Sequence, residues 1–358
     1  MLADPGAESA ASDTTSPQTD LTNLREPLRF RREYVEKTVW GGRSLERVLG
    51  IELPAGKKIG ETWELVDRED VNSVVVGGTF DGQTLGQLVR DHGQDLLGRS
   101  RPTPKGRFPL LVKFLDAAQN LSVQVHPDDA GAADQGEGSE AKTEAWYFLD
   151  SGPGGGVWCG LKSIVDADAV RSAMGTAQIV DHLAWWPVRA GQALMVPGGT
   201  IHAIGAGVQL LEVQQNSDTT WRIYDWDRLD EATGAPRDQH VAQAAEATRY
   251  DLSPRPPVGE VFLSHDSGAE VAPLARCRHF GMNRMRVTAP AELDTDGQFQ
   301  IYVVISGAGV LVTSDEGREL RTDLARGDTL LLPAACGVHR LEPHGEEALD
   351  LVQLQATS

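Results

Sequence analysis

From about residue 27 the apolar positions fall in short runs separated by glycine and proline. The runs at 72–78, 108–116, 121–127, 144–150, 193–199 and 208–215 are rich in valine, leucine and aromatic residues. Short runs of this kind, several of them alternating apolar with polar positions, predict strands. Helical spacing is rarer. Residues 84–98 and 163–175 show it best, the second with Ser163 as an expected N-cap. After about residue 245 the strand pattern returns, and the proline-rich stretch 253–260 reads as a linker. Residues 1–25 hold mostly Ala, Ser, Thr, Asp and Pro without periodicity and read as a disordered tail.

An internal repeat organises the rest. Gly191 is followed by five residues, Pro197 and then His202; Gly327 is followed by five residues, Pro333 and then His339. Each copy is preceded by a strand ending in Ser-Gly, at 151–152 and 306–307. From that glycine to the next motif glycine is 39 residues in the first copy and 20 in the second, and the difference matches the 163–175 helix with its flanks. A barrel of antiparallel strands, closed to remove its edges, explains the pattern. The glycine permits a tight turn, the proline ends the strand, and the histidine beyond projects into the barrel mouth. The spacing from Gly191 to His202 resembles the second motif of the cupin family, with Ala206 where an asparagine is usual. The expected fold is therefore mainly β: two jelly-roll cupin barrels with a helical insertion in or beside the first. The expected division is a tail at 1–25, a metal-binding catalytic domain at 26–250 and a degenerate cupin domain at 251–358.

Strand alternation puts Gln124 and His126 on one face of the 121–127 strand. Glu144 opens the next strand, and His202 follows the Gly-Pro turn. One amide oxygen, two imidazoles and one carboxylate suit a catalytic Zn²⁺ with a free position, and no thiolate excludes Mn²⁺, Fe²⁺, Co²⁺ or Ni²⁺. His92, His182, His240, His265, His279 and His344 lack such company and read as structural or surface residues. Lys113 lies inside an apolar strand, where an ammonium needs a partner such as Asp116 or a function. Lys142 shares a face with Glu144, and Arg222 in the polar block 212–228 offers a planar fork for phosphate or an enediolate oxygen.

Composition narrows the reading. A formal net charge of −19 over 358 residues argues against a sequence-independent grip on nucleic acid or an anionic membrane. No apolar run is long enough for a membrane-spanning helix, and residues 1–23 contain no Lys or Arg and no apolar core of a signal peptide. Cys159, Cys277 and Cys336 are scattered and odd in number, which fits reduced thiols in a cytoplasmic protein. Nothing fixes an oligomeric state, and a monomer is the working expectation.

The segments 110–129, 142–147, 196–207 and 210–228 together resemble the type I mannose-6-phosphate isomerase family in its shorter bacterial form; 39–42 and 60–65 fit as well. The resemblance covers about residues 27–230 closely and the rest loosely. It implies metal ligation by Gln124, His126, Glu144 and His202, an active-site arginine at Arg222, conserved lysines at Lys113 and Lys142, a carboxylate at Glu212 and a substrate-side serine at Ser122. It implies aldose–ketose isomerisation of a phosphosugar, with Glu212 or Lys142 as the base and Lys113 and Ser122 on the phosphate. Aligning the second copy on its Ser-Gly puts Phe299 where Glu144 stands in the first, leaving His339 a structural residue without partner ligands. The alternatives are a cupin isomerase for another sugar phosphate, a sugar-binding bicupin without turnover, or an Fe²⁺ dioxygenase. Four charged groups around the metal favour the isomerase.

Overall fold

The computed structural model describes residues 24–136, 138–162, 165–230, 234–315 and 317–357. The chain is mainly β, in two halves of two sheets each. In the N-terminal half a seven-stranded sheet has the order Val258–Gly259, Gln192–Val196, Glu144–Ser151, Val208–Gln215, Leu110–Ala117, Ile59–Leu65, Glu33–Glu36. A five-stranded sheet accompanies it, in the order Trp221–Tyr224, Val123–Val125, His202–Ile204, Gly156–Leu161, Leu183–Pro187. The C-terminal half repeats the plan with sheets of seven and four strands. Among the described residues neither half closes into a barrel by hydrogen bonding. The expected barrels are open sheets.

The two-residue period of a strand assigns each face of the large N-terminal sheet its own task. Val112, Phe114, Ala145, Tyr147, Leu211 and Val213 join a core shared with Phe280, Met282, Ile301, Val303, Val352 and Leu354 of the C-terminal half. Leu115, Trp146, Phe148 and Leu210 pack inside the N-terminal half, alongside residues of the smaller sheet. Buried on both sides, Leu110–Ala117 is one continuous apolar run broken only by Lys113 and Asp116. The halves also exchange edges. Leu28–Arg29 pairs with Leu330–Leu331 of the C-terminal sheet, and Val258–Gly259, within the expected linker, pairs with Gln192–Ala193 of the N-terminal one.

Several local expectations change. The 72–78 run is not a strand: Asn72, Val74 and Val75 make isolated bridges to Asp67, Thr84 and Phe30. The 84–98 helix is two helices, Leu85–Asp91 and Gly93–Leu97, the first opened by a Thr84–Gln87 capping box. The 163–175 helix is Ala167–Ala173, capped by Asp166; Ser163 lies outside the described residues, as do residues 1–23 of the expected tail. Leu24 is fully buried, and the Arg25 carbonyl accepts from the Cys336 thiol. No helix among the described residues is long and apolar enough to cross a membrane.

Phe108 and Phe299 meet with ring centroids 4.7 Å apart, one ring from each half. Phe299→Ala is expected to cost roughly 3–5 kcal/mol. The shared core predicts that this lowers a single cooperative melting transition. A calorimetric trace in which one half melts early and the other is unmoved contradicts it.

Candidate metal centre and active site

The site lies between the two N-terminal sheets and is built by backbone contacts that bring three strand ends together. Gly198 lies flat on Pro127–Asp128, where an added Cβ would stand 2.6 Å from the Asp128 Cα. The Gly199 N–H, at a residue with φ +86°, donates to the His126 carbonyl at 2.6 Å. The Pro-Gly-Gly turn thus fastens the segment leading to His202 against the end of the strand carrying His126. His202 pairs with Gln124, and Glu144 pairs with Val196 just before Pro197.

The result is a compact donor set. Ligand atoms of His126, Glu144 and His202 lie within 4.8 Å of one another, and all three residues are buried. His126 Nε2 is 3.5 Å from Glu144 Oε2, and His202 Nε2 is 3.4 Å from Glu144 Oε1. Each Nδ1 faces a backbone carbonyl, Thr219 at 2.8 Å and Thr200 at 2.9 Å. Donation from Nδ1–H leaves both Nε2 lone pairs directed at the carboxylate, the tautomer a metal-ligating histidine needs. Burial pushes both imidazoles below their usual range, His202 to about 4, and the Lys142 charge adds to this, so both are neutral near pH 7. The Lys142 ammonium lies 3.1 Å from both Glu144 Oε2 and His126 Nε2, yet Oε2 has no hydrogen bond of proper geometry. Two neutral imidazoles whose Nε2 atoms face a buried carboxylate, with Lys142 and the Gln124 amide as their present neighbours, make a donor set that fits a divalent cation.

A cavity of about 290 Å³ opens beside this set, walled in part by Ser122, Gln124, Lys142, Glu144, Glu212 and Arg222. Gln124 turns its amide nitrogen toward His202 Nε2 at 3.3 Å, and its oxygen accepts from the Ser122 hydroxyl at 3.3 Å. Lys113 pairs with Glu61 at 3.4 Å and Glu212 at 3.7 Å, not with Asp116, and its ammonium is 5.0 Å from the Trp63 ring centroid. Burial opposes the Lys113 charge, but Glu61 and Glu212 more than offset it and hold the group above the usual lysine range. Glu212 accepts from the Trp146 indole at 3.0 Å. Burial and the neighbouring Glu144 charge push its carboxyl up, against the pull of Lys142 and Lys113. Burial, with the Arg237 charge beside it, pulls Arg222 down. Its Nε is buried without an acceptor, while one terminal nitrogen donates to the Asp238 carbonyl at 2.8 Å.

The same cavity contains residues to which sequence reading gave no role: Lys37, Trp40, Glu61, Asp218, Thr220 and Arg237. Trp40 and Glu61 lie in segments already noted, 39–42 and 60–65. Lys37 and Trp40 are presented by a tight turn laid on the Ile59–Leu65 strand, where a Cβ at Gly41 would stand 2.7 Å from the Gly60 nitrogen. Arg237 follows no motif and is held by both oxygens of Asp225. A larger cleft of about 770 Å³, lined by residues such as Arg101, Arg107 and Arg278, contains none of the predicted site residues.

Comparison with known proteins gives the family. Residues 29–150 match the family model for the phosphomannose isomerase type I catalytic domain, and residues 272–349 that for the mannose-6-phosphate isomerase cupin domain. A mannose-6-phosphate isomerase of Bacillus subtilis is 33% identical over 90% of this chain and 97% of its own length. One of Streptococcus mutans is 33% identical over 87% of this chain and 93% of its own length. The crystal structure of the Bacillus subtilis mannose 6-phosphate isomerase superposes with a TM-score of 0.81 at 30% identity, covering 92% of this chain and 99% of that one. The chain belongs to the type I phosphomannose isomerase family.

The buried Glu61 carries a pH signature. Burial alone would raise its carboxyl, but Lys113, Lys37 and the Trp63 N–H hold it down at about 2, against an ordinary 4.5. A depressed carboxylate contributes stability that is full above its unfolded value and is lost as pH falls toward the folded one. Between pH 4.5 and 2 the native chain should therefore lose roughly 3 kcal/mol more unfolding free energy than Glu61→Gln. Urea titrations across that window measure the difference; equal acid sensitivity refutes the assignment.

Proposed function

We propose that this enzyme interconverts mannose 6-phosphate and fructose 6-phosphate at the His126–Glu144–His202 centre. The observation that carries this reading is the convergence of a neutral His-Glu-His set with an undonated carboxylate oxygen beside a cavity holding Lys113, Lys142, Glu212 and Arg222. Enzymes of the family depend on a metal. His126, Glu144 and His202 would hold one ion per chain, with Gln124 turning its amide oxygen inward as a fourth donor. Two imidazoles, a carboxylate and a neutral oxygen suit Zn²⁺, and other divalent first-row metals are compatible with the donors. When bound, the cation supplies charge stabilisation at the sugar's O1 and O2.

The chain's own groups do the rest. Isomerisation removes the proton on C2 while the C–H electron pair forms the C1–C2 double bond of an enediolate. The C1=O pair moves to O1; return of the proton to C1 and transfer of the O2 proton to O1 then give the ketose. Glu212 is the group to move that proton: it is buried, burial and the Glu144 charge raise its carboxyl above the ordinary value and so strengthen it as a base, and Trp146 donates to it. Lys142 was the alternative, but its ammonium sits in contact with Glu144 and His126 and has no role as an acceptor. Arg222, with a buried Nε lacking an acceptor, directs a donor at charge on the substrate. Ser122 and Lys113 line the cavity as phosphate contacts, and Lys113 also balances Glu61 and Glu212.

The same reading covers the whole chain. We divide it into a tail at 1–25, a catalytic unit at 26–250 and a degenerate cupin unit at 251–358, each unit a jelly-roll sandwich related to a barrel. Three free cysteines suit a cytoplasmic enzyme.

A coupled assay for fructose 6-phosphate formed from mannose 6-phosphate tests the function. Chelation should abolish turnover and Zn²⁺ should restore it. Glu212→Gln should lower kcat by about 10²–10⁴-fold. Arg222→Ala should lower kcat/KM by at least about 10²-fold. Full activity after exhaustive chelation, or in either variant, rejects the proposal.

A further inference from the structure

The two halves match residue by residue through their hydrogen-bond registers. In the first, Glu144 pairs with Val196 and Trp146 with Leu194, just before Pro197. In the second, Gln300 pairs with Leu332 and Tyr302 with Leu330, just before Pro333. Gln300, not Phe299, therefore occupies the Glu144 position; the second Ser-Gly comes one residue early. Both strands skip one residue at the same place, Leu149 and Ile305. Continuing across the sheets, Glu212 corresponds to Gln353 and Lys113 to Asn283. In the smaller sheets Gln124 pairs with His202 as Leu293 pairs with His339, which puts Thr295 in the place of His126.

His339 keeps the geometry of its counterpart. Its Nδ1 faces the carbonyl two residues earlier, Gly337 at 2.9 Å, as His202 Nδ1 faces Thr200. Its ring lies 5.7 Å from that of Tyr302, where His202 lies 5.4 Å from Trp146. The free Nε2, however, meets the Tyr302 hydroxyl at 2.7 Å, and that hydroxyl is also 2.8 Å from Gln300 Oε1. Gln353 donates to the same Oε1, and Asn283 donates to Gln353. His126, Glu144, Glu212 and Lys113 are thus replaced by the neutral Thr295, Gln300, Gln353 and Asn283, and the amides satisfy one another. Among the described residues the smaller sheet also has no counterpart of Trp221–Tyr224, the strand that carries Arg222.

We propose that the C-terminal half holds a silenced second metal site, short of the first by one imidazole, one carboxylate and, with Leu293 in the place of Gln124, one amide, and that restoration at positions 295 and 300 returns it to divalent-cation binding without catalysis. The proposal rests on reading His126, Glu144 and His202 as the metal centre. Thr295→His combined with Gln300→Glu should raise bound Zn²⁺ from one to two per chain, measured by elemental analysis after dialysis, with isomerase activity unchanged. In a Glu144→Gln background the same pair should raise bound Zn²⁺ by one per chain and restore no activity. A second pair, Thr295→His with Tyr302→Phe, introduces no buried charge and frees His339 Nε2; it should retain one extra Cu²⁺ per chain. If neither pair holds more metal than its parent, the proposal is overturned. A native chain that holds no metal instead defeats the reading of the first site, so the two failures are distinguishable.

Discussion

A buried carboxylate whose charge partner inside the protein is one ammonium, Lys142, at 3.1 Å is the constraint on which the rest of the site depends. Glu144 is 1% exposed, and one of its oxygens has no hydrogen bond of proper geometry. A charge held so dry must be compensated by position, because water cannot reach it. Lys142 and two neutral imidazoles crowd around it, and each imidazole is committed through its other nitrogen to a backbone carbonyl. Relaxing any of these contacts would leave the carboxylate more exposed to its own desolvation cost. The Pro-Gly-Gly turn, the register of His202 on Gln124 and the buried Trp146 ring are therefore parts of one arrangement that holds together three side chains able to ligate a metal.

The large N-terminal sheet makes that arrangement affordable in a chain of this size, because one set of strands serves two purposes. Residues at alternate positions pack against the C-terminal half, and the intervening ones carry the chemistry. Lys113 and Glu212 sit between apolar neighbours anchored in the shared core, and Glu144 adjoins one, Ala145. A reacting group mounted on a doubly buried strand has little freedom to drift, which is what proton transfer over a fixed distance demands. On this view the second half supports catalysis mechanically: it backs the sheet whose other face holds the site. Its own vestigial site can be neutral and closed because stiffness, and not ligand binding, is what it contributes.

Much of this was legible in the chain. The strands that carry His126, Glu144, His202, Glu212 and Arg222 announce themselves by alternation and by the Gly-Pro turn, and those residues meet where the spacing put them. What was not legible depended on long-range contacts. The 72–78 run has strand composition, but its neighbours offer only isolated bridges. The break after Asp91 separates two helices within one apolar pattern, because His92 leaves the helical conformation. Glu61 and Arg237 enter the cavity from segments whose local sequence carries no chemical spacing. Counting from Ser-Gly picked Phe299 because the second strand is one residue shorter between its bulge at Ile305 and its Ser-Gly than the first is after Leu149. Pairing registers see the bulge, and sequence spacing does not.

The acidic composition and the phosphosugar reading can be reconciled by charge placement. The chain carries −19 overall, yet five cations, Lys37, Lys113, Lys142, Arg222 and Arg237, face the cavity beside four acidic residues, Glu61, Glu144, Glu212 and Asp218. Those charges nearly cancel, so the apo cavity would have little field with which to draw a dianion through an acidic surround. A divalent cation held by His126, Glu144 and His202 would add two positive charges beside it. With the metal in place the pocket becomes clearly positive, in a region where solvent screening is weak. Metal and phosphosugar should therefore bind cooperatively, each strengthening the other's hold through the charge it brings to the same dry pocket.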